Sequence, residues 1–169
     1  MEISIEMLND EDAKGLFTFE CDNRSFFEQT VPSRGDDYYS FENFKVRHKE
    51  LLNEQEVGLS YFYLIKDGSG TIAGRINLVD IDPIDCTADV GYRIGEAFTQ
   101  KGIANEALKR LVNLAPGLNV IQIHAKTTSD NIASQKVLEK NGFERISTNG
   151  ENNVVTGQKV TFYHYSRNL

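Results

Sequence analysis

A chain of 169 residues is long enough to bury a full core without disulfide or metal staples. Apolar residues make up 40% and charged residues 25%, both ordinary for a globular protein, and no run of roughly 18 apolar residues offers a membrane span. The formal net charge of −7, with no basic stripe, argues against a nucleic-acid partner and suits steering of cationic ligands such as amines.

In chain order, Ile3 to Leu8 alternates as a first strand, and Asn9 or Asp10 can cap a helix starting near Glu11. The opening MEISIEML has no basic stretch leading into an apolar one, so the expected location is the cytoplasm. Phe26 to Tyr39 reads as a loop, marked by Pro32, Ser33, Gly35, Asp36 and Asp37. A helix follows from Ser40 to about Gln55, with Phe44, Leu51 and Leu52 as its apolar contacts. Ser60 to Lys66 and Thr71 to Asp80 form a hairpin around Asp67-Gly68-Ser69-Gly70. Gly68, Gly70 and Gly74 superficially resemble a dinucleotide fingerprint, but they open no helix and belong to a turn. Thr87 to Ile94 is the next strand, followed by a helix from Ile103 to about Ala115 that Pro116-Gly117 stops. A strand from Val120 to Ala125, a helix at Ile132 and a last pair of strands near Phe143 and Val160 to Tyr165 complete one domain over residues 1–169. Cys21 and Cys86 have no metal spacing, and His48, His124 and His164 are scattered, so no metal site is expected.

The most informative segment is DVGYRIGEAFTQKGIANEALKRL, from Asp89 to Leu111. A strand ends in a small-residue loop, and the loop opens a helix at Gly102-Ile103-Ala104. Such a helix start leaves unpaired backbone N–H groups aimed at one point, and the helix dipole adds partial positive charge there. This is an anion site, most often for phosphate, unless the small residues serve packing alone. A second segment runs from Thr128 to Phe143. Ser129 or Asp130 can cap its helix, Gly142 falls at the left-handed position after the helix, and Asn131, Ser134 and Leu138 share one helical face.

TQKGIANEAL is similar to the pyrophosphate motif Q/R-x-x-G-x-G/A of the GNAT superfamily of N-acetyltransferases. The run from Asn131 to Phe143 resembles that family's second cofactor motif, and the closest branch is the RimJ/RimL-like group. The chain departs at one position, where Thr99 replaces the usual Gln or Arg. The resemblance implies an α/β fold with a mixed, mostly antiparallel central sheet flanked by helices on both faces. It implies acetyl-CoA as co-substrate. Its pyrophosphate would sit on the loop Gln100, Lys101, Gly102, Ile103, Ala104 and Asn105, and its pantetheine arm along Val90, Tyr92 and Ile94, with Asn131 and Ser134 from the second motif.

For the chemistry, the resemblance makes Ser134 the candidate acid for the leaving thiolate, although a small residue packed on the cofactor would read the same way. Asp89 starts the central strand and is the candidate base, or else a plain exposed carboxylate. Arg34, Tyr38, Tyr39 and Tyr163 are candidates for binding the acceptor; core packing is the competing role for Tyr163, and plain surface for the loop residues Arg34, Tyr38 and Tyr39. The expected activity is transfer of an acetyl group to an amine, including a protein or peptide N-terminal α-amine, by direct attack in a ternary complex. The alternatives are a non-catalytic acyl-CoA-binding module of the same fold and an acetyltransferase for polyamines, amino acids or drug amines. Either a monomer or a homodimer fits.

Overall fold

The computed structural model describes residues 1–146, 152–155 and 157–169. Strand β1 (Ile3–Met7) leads through a single 3-10 turn (Asp10–Asp12) into α1 (Ala13–Asp22). Asn9 caps that turn: its side chain accepts from the Glu11 N–H at 2.9 Å, and the Asp12 carboxylate accepts from the Asn9 N–H at 2.9 Å. The segment expected as a plain loop holds a short helix α2 (Arg24–Phe27) and a 3-10 turn at Asp36–Tyr39, because Phe26 and Phe27 pack together and against the rest of this layer. Helix α3 (Phe41–Glu56) follows. The hairpin of β2 (Tyr61–Asp67) and β3 (Ile72–Asp82) turns where Asp67 accepts from the Ser69 and Thr71 N–H groups, with Gly70 at φ +84°.

Strand β4 (Thr87–Ile94) has the bounds expected from the sequence. Helix α4 (Ile103–Leu114) buries Ile103, Ala107, Leu108, Leu111 and Val112 as one stripe. A 3-10 turn (Ala115–Leu118) ends it, and Pro116 and Gly117 lie inside that turn. Strand β5 (Gln122–Thr128) starts two residues later than expected and runs three further, its end held against the last strand. Helix α5 (Ile132–Lys140) closes with Gly142 at φ +75°, where Phe143 N–H bonds the Leu138 carbonyl at 3.1 Å and Gly142 N–H bonds that of Glu139 at 3.0 Å. Leu138 and Phe143 are both buried, which completes a Schellman cap. The chain ends with β6 (Glu144–Ile146), β7 (Asn152–Val155) and β8 (Gln158–Asn168).

The strands lie side by side in the order β1-β2-β3-β4-β5-β8-β6, with β7 paired to β8. Among the described residues only the β4–β5 pair is parallel; the other pairs are antiparallel. Helices α1 to α3 cover one face through a cluster that includes Leu16, Phe19, Phe44, Phe62 and Leu64. Helices α4 and α5 cover the other through a larger cluster that includes Ile65, Ile76, Val90, Leu108 and Ile123. At Gly74 the backbones of β3 and β4 approach closely, and a Cβ there would fall 2.5 Å from the Arg93 carbonyl oxygen. Glu20 is fully buried under α1, with Arg75 Nη1 2.6 Å away, Arg93 Nη1 3.4 Å and Arg34 Nη1 3.7 Å.

Candidate active site

The parallel ladder between β4 and β5 is short. It pairs Thr87 with Gln122, Ala88 with Ile123, Asp89 with His124 and Val90 with Ala125, and then it stops. Beyond that point β4 stays paired to β3 as far as Ile94, and β5 stays paired to β8 as far as Thr128. The two strands therefore splay, and Gly91 to Ile94 faces Lys126 to Thr128 across a slot with no ladder between them. A cavity of about 580 Å³ lies at this slot, lined among others by Tyr92, Lys126, Thr128, Asn131, Ser134 and Phe162, with Gln29 to Pro32 at its rim.

Strand alternation distributes the side chains between two faces. Val90, Tyr92 and Ile94 point toward α4 and α5, and Val90 is buried in that core. Asp89 and Arg93 point toward the α1–α3 side. On the α4–α5 side the Tyr92 hydroxyl lies 3.0 Å from Ser134 Oγ. The backbone N–H of Ser134 donates to Asn131 Oδ1 at 3.0 Å, so Asn131 is the cap of α5, not Ser129 or Asp130. That bond occupies the Asn131 side-chain oxygen and leaves its NH₂ group to donate. Burial pushes the Tyr92 phenol up, against a smaller opposing effect of its bond to Ser134, so it stays protonated near neutral pH.

The helix start at α4 is open. Gly102 sits at φ +78°, no side chain caps it, and a Cβ there would meet nothing within 4 Å. The first bond of the helix runs from Glu106 N–H to the Gly102 carbonyl, so the N–H groups of Ile103, Ala104 and Asn105 precede the helical ladder. The cradle fits a pyrophosphate: amides converge, the dipole is favourable, and the space a side chain would fill is clear. Gln100 precedes it with a left-handed φ of +60° and an exposed side chain. The remaining loop side chains serve the fold. Lys101 Nζ donates to the Ala97 carbonyl at 2.7 Å, Thr99 Oγ1 donates to the Glu96 carbonyl at 2.9 Å, and Ile103 is buried. Asn105 Oδ1 accepts from Asn141 Nδ2 at 3.0 Å, tying α4 to the end of α5. Gly102→Val should raise the Kd for acetyl-CoA at least about tenfold, since its side chain enters the cradle and a non-glycine residue at this φ costs about 1–2 kcal/mol. Calorimetry on the folded variant checks this; unchanged affinity would remove the loop from the phosphate site.

On the α1–α3 side, Asp89 stands opposite His124, in register. Burial raises its carboxyl pKa and Asp80 adds to that, while His124, Lys126 and His164 pull it down. The acceptor-binding candidates are not gathered at the slot. Tyr38 packs in the α1–α3 cluster and accepts a hydrogen bond from Arg34, and Tyr39 lies under the Arg24 guanidinium. Tyr163 packs on the α4–α5 core beneath Arg145. Its neighbour Phe162 lines the cavity instead, with Val160 and Gln29 to Pro32. Strand alternation held the signal for Phe162, but nothing local says which parity of β8 faces the slot. The cavity lining carries one cation, Lys126, and one carboxylate, Asp130, with Arg93 on the strand that borders the slot.

The acetyltransferase (GNAT) domain family matches residues 3–144, and the chain belongs to this family of acetyl-CoA-dependent N-acetyltransferases. It is 32% identical over 158 residues to the probable N-acetyltransferase YjcK of Bacillus subtilis (strain 168), covering 92% of this chain and 87% of that one. It is 27% identical to the putative ribosomal N-acetyltransferase YdaF of the same organism, covering 97% and 90%. Its fold matches that of RimL, a ribosomal alpha-N-protein acetyltransferase solved with coenzyme A, at a TM-score of 0.88 and 21% identity over 99% of this chain and 94% of that one. Among the described residues no group of three or more His, Cys, Asp or Glu side chains is placed to hold a metal, and no helix is long and apolar enough to cross a membrane.

Proposed function

We propose that the acceptor is an α-amine at a peptide or protein N-terminus, taken up as one unit by residues 1–169 in the cytoplasm. The observation that carries this reading is the placing of Asp89 and the Ser134–Tyr92 hydroxyl pair on opposite faces of the sheet, at the point where β4 and β5 part. Acetyl-CoA supplies an activated thioester. Asp89 takes the amine proton, directly or through water, on the α1–α3 side. Ser134 delivers a proton to the departing sulfur on the α4–α5 side. One carboxylate with its pKa raised by burial is still a weak base, and it suffices for an α-amine: deprotonation at pH 7 costs about 1 kcal/mol for an α-amine and about 4.6 for a lysine. The names of YdaF and RimL support an acceptor of this kind.

The rate with free N-terminal peptides should rise between about pH 7 and 8, following the free-amine fraction. Asp89→Asn should alter that profile without changing acetyl-CoA affinity. Peptides blocked at the N-terminus but bearing a free lysine should react poorly. If those peptides, or spermidine, outrun every free N-terminus at pH 7, the α-amine reading fails.

A further inference from the structure

The buried carboxylate of Glu20 draws three guanidiniums and can neutralise one. Arg75 takes it, at 2.6 Å and almost without exposure. Arg34 and Arg93 reach the same carboxylate at longer range, and neither has another carboxylate within ion-pair distance among the described residues. Arg34 also donates to the Tyr38 hydroxyl. Arg93 has no other hydrogen-bond acceptor among the described residues, and its guanidinium stacks over the Phe27 ring with 24% of the side chain exposed. Nearby Arg24 is shared by two carboxylates, Glu28 and Asp36, which leaves one negative charge there and offsets one of the two that Glu20 leaves unmatched. The whole cluster therefore keeps one positive charge in excess, in a chain whose net charge is −7, and Arg93 is the member on the strand that borders the slot.

Arg93 lies two residues beyond Gly91 on the same face of β4, a distance of about 7 Å along the strand. Above Gly91 nothing stands within 4 Å of where a Cβ would be. An acceptor entering over Gly91 therefore passes the guanidinium edge. A planar fork backed by an aromatic ring, with donors to spare, matches a carboxylate. Desolvating an unmatched cation is costly, and an incoming anion offsets that cost. Burial and the neighbouring Arg34 both weigh against the charged form of Arg93, which agrees with an excess of positive charge.

We propose that Arg93 and Arg34 form an anion subsite that selects amine acceptors carrying a carboxylate one or two residues from the amine. The proposal rests on the α-amine reading above. The test is a matched set of amidated peptides, Ser-Glu-Ala-Ala, Ser-Gln-Ala-Ala and Ser-Lys-Ala-Ala, together with serine and serinamide, followed by release of CoA thiol. The glutamate peptide should exceed the glutamine peptide by about tenfold in kcat/KM, mostly through KM, and the lysine peptide should be slowest. In Arg34→Gln and Arg93→Gln the preference should fall to about twofold with acetyl-CoA affinity unchanged. Arg34 is more exposed than Arg93, so its variant keeps the test open if Arg93→Gln folds poorly. Serine outrunning serinamide, with the difference lost in the variants, would support the subsite with the acceptor's own carboxylate as the anion. Equal rates for all free N-termini, or a preference that survives both substitutions, would overturn the subsite and leave the α-amine reading standing. Reaction only with lysine side chains would bring down both.

Discussion

Ser134→Ala is expected to lower turnover by about 10²-fold and leave acetyl-CoA affinity within about twofold. The expected loss reflects the proposed proton delivery by this hydroxyl, whose backbone is fixed by Asn131 and whose oxygen lies 3.0 Å from the Tyr92 hydroxyl. A thiolate leaving from a thioester needs a proton, and a serine that gives one needs a source behind it. In the proposed mechanism the Tyr92 hydroxyl, kept protonated by burial, donates to Ser134 Oγ as Ser134 gives its proton to sulfur, and Tyr92 regains a proton from solvent once products leave. Tyr92→Phe should consequently cost less than Ser134→Ala but act in the same direction. Steady-state and single-turnover rates with one peptide acceptor make the measurement. A loss within about threefold for Ser134→Ala would reduce the side chain to packing against the cofactor.

Glu20→Gln is expected to destabilise the fold by about 3 kcal/mol, at the low end of what removing one partner from a buried ion cluster costs. Three guanidiniums then surround a neutral amide. Melting with wild type at equal pH reads the effect, and a change below about 1 kcal/mol would mean that the arginines are satisfied without the carboxylate. Burial alone would push the Glu20 carboxyl up, but Arg75, Arg34 and Arg93 together hold it below its ordinary value. A depressed folded-state pKa means this stabilisation is complete above about pH 4.5 and is lost as pH falls through the folded value. The difference between wild type and Glu20→Gln should accordingly be largest near neutrality and shrink in acid.

The parts of the fold set by local chemistry could be read from the chain alone. Strand β4 fits its alternation, α4 fits its apolar stripe, and the end of α5 follows from Gly142 and Phe143 in adjacent positions. The open helix start at Gly102 was legible for the same reason, since it is a short run of backbone with a glycine that must be left-handed. What escaped depends on contacts distant in sequence. Glu20 sits in AKGLFTFECD, where a glutamate looks like the polar side of a surface helix; its partner Arg75 is 55 residues away. Asn131 caps α5 although Ser129 and Asp130 are equally good cap residues, because the β5 ladder runs to Thr128 and sets where the helix begins. Tyr163 and Phe162 are both aromatic, and only the register of β8 against β5 decides that Phe162 meets the cavity.

Gly74 lies outside the cavity, on the far side of β4 from it, yet it has a bearing on what the enzyme can admit. It faces Ile94 at the far end of β4, where any side chain would collide with the Arg93 carbonyl and the Ile94 side chain. A bulkier residue would have to drive β4 away from β3, and in the plane of the sheet that movement is toward β5. The aperture between the splayed strands is thus gauged from behind, by a missing methyl group one strand away. Substrate size in such an enzyme is tuned by shimming its framework as well as by recutting the walls of the pocket.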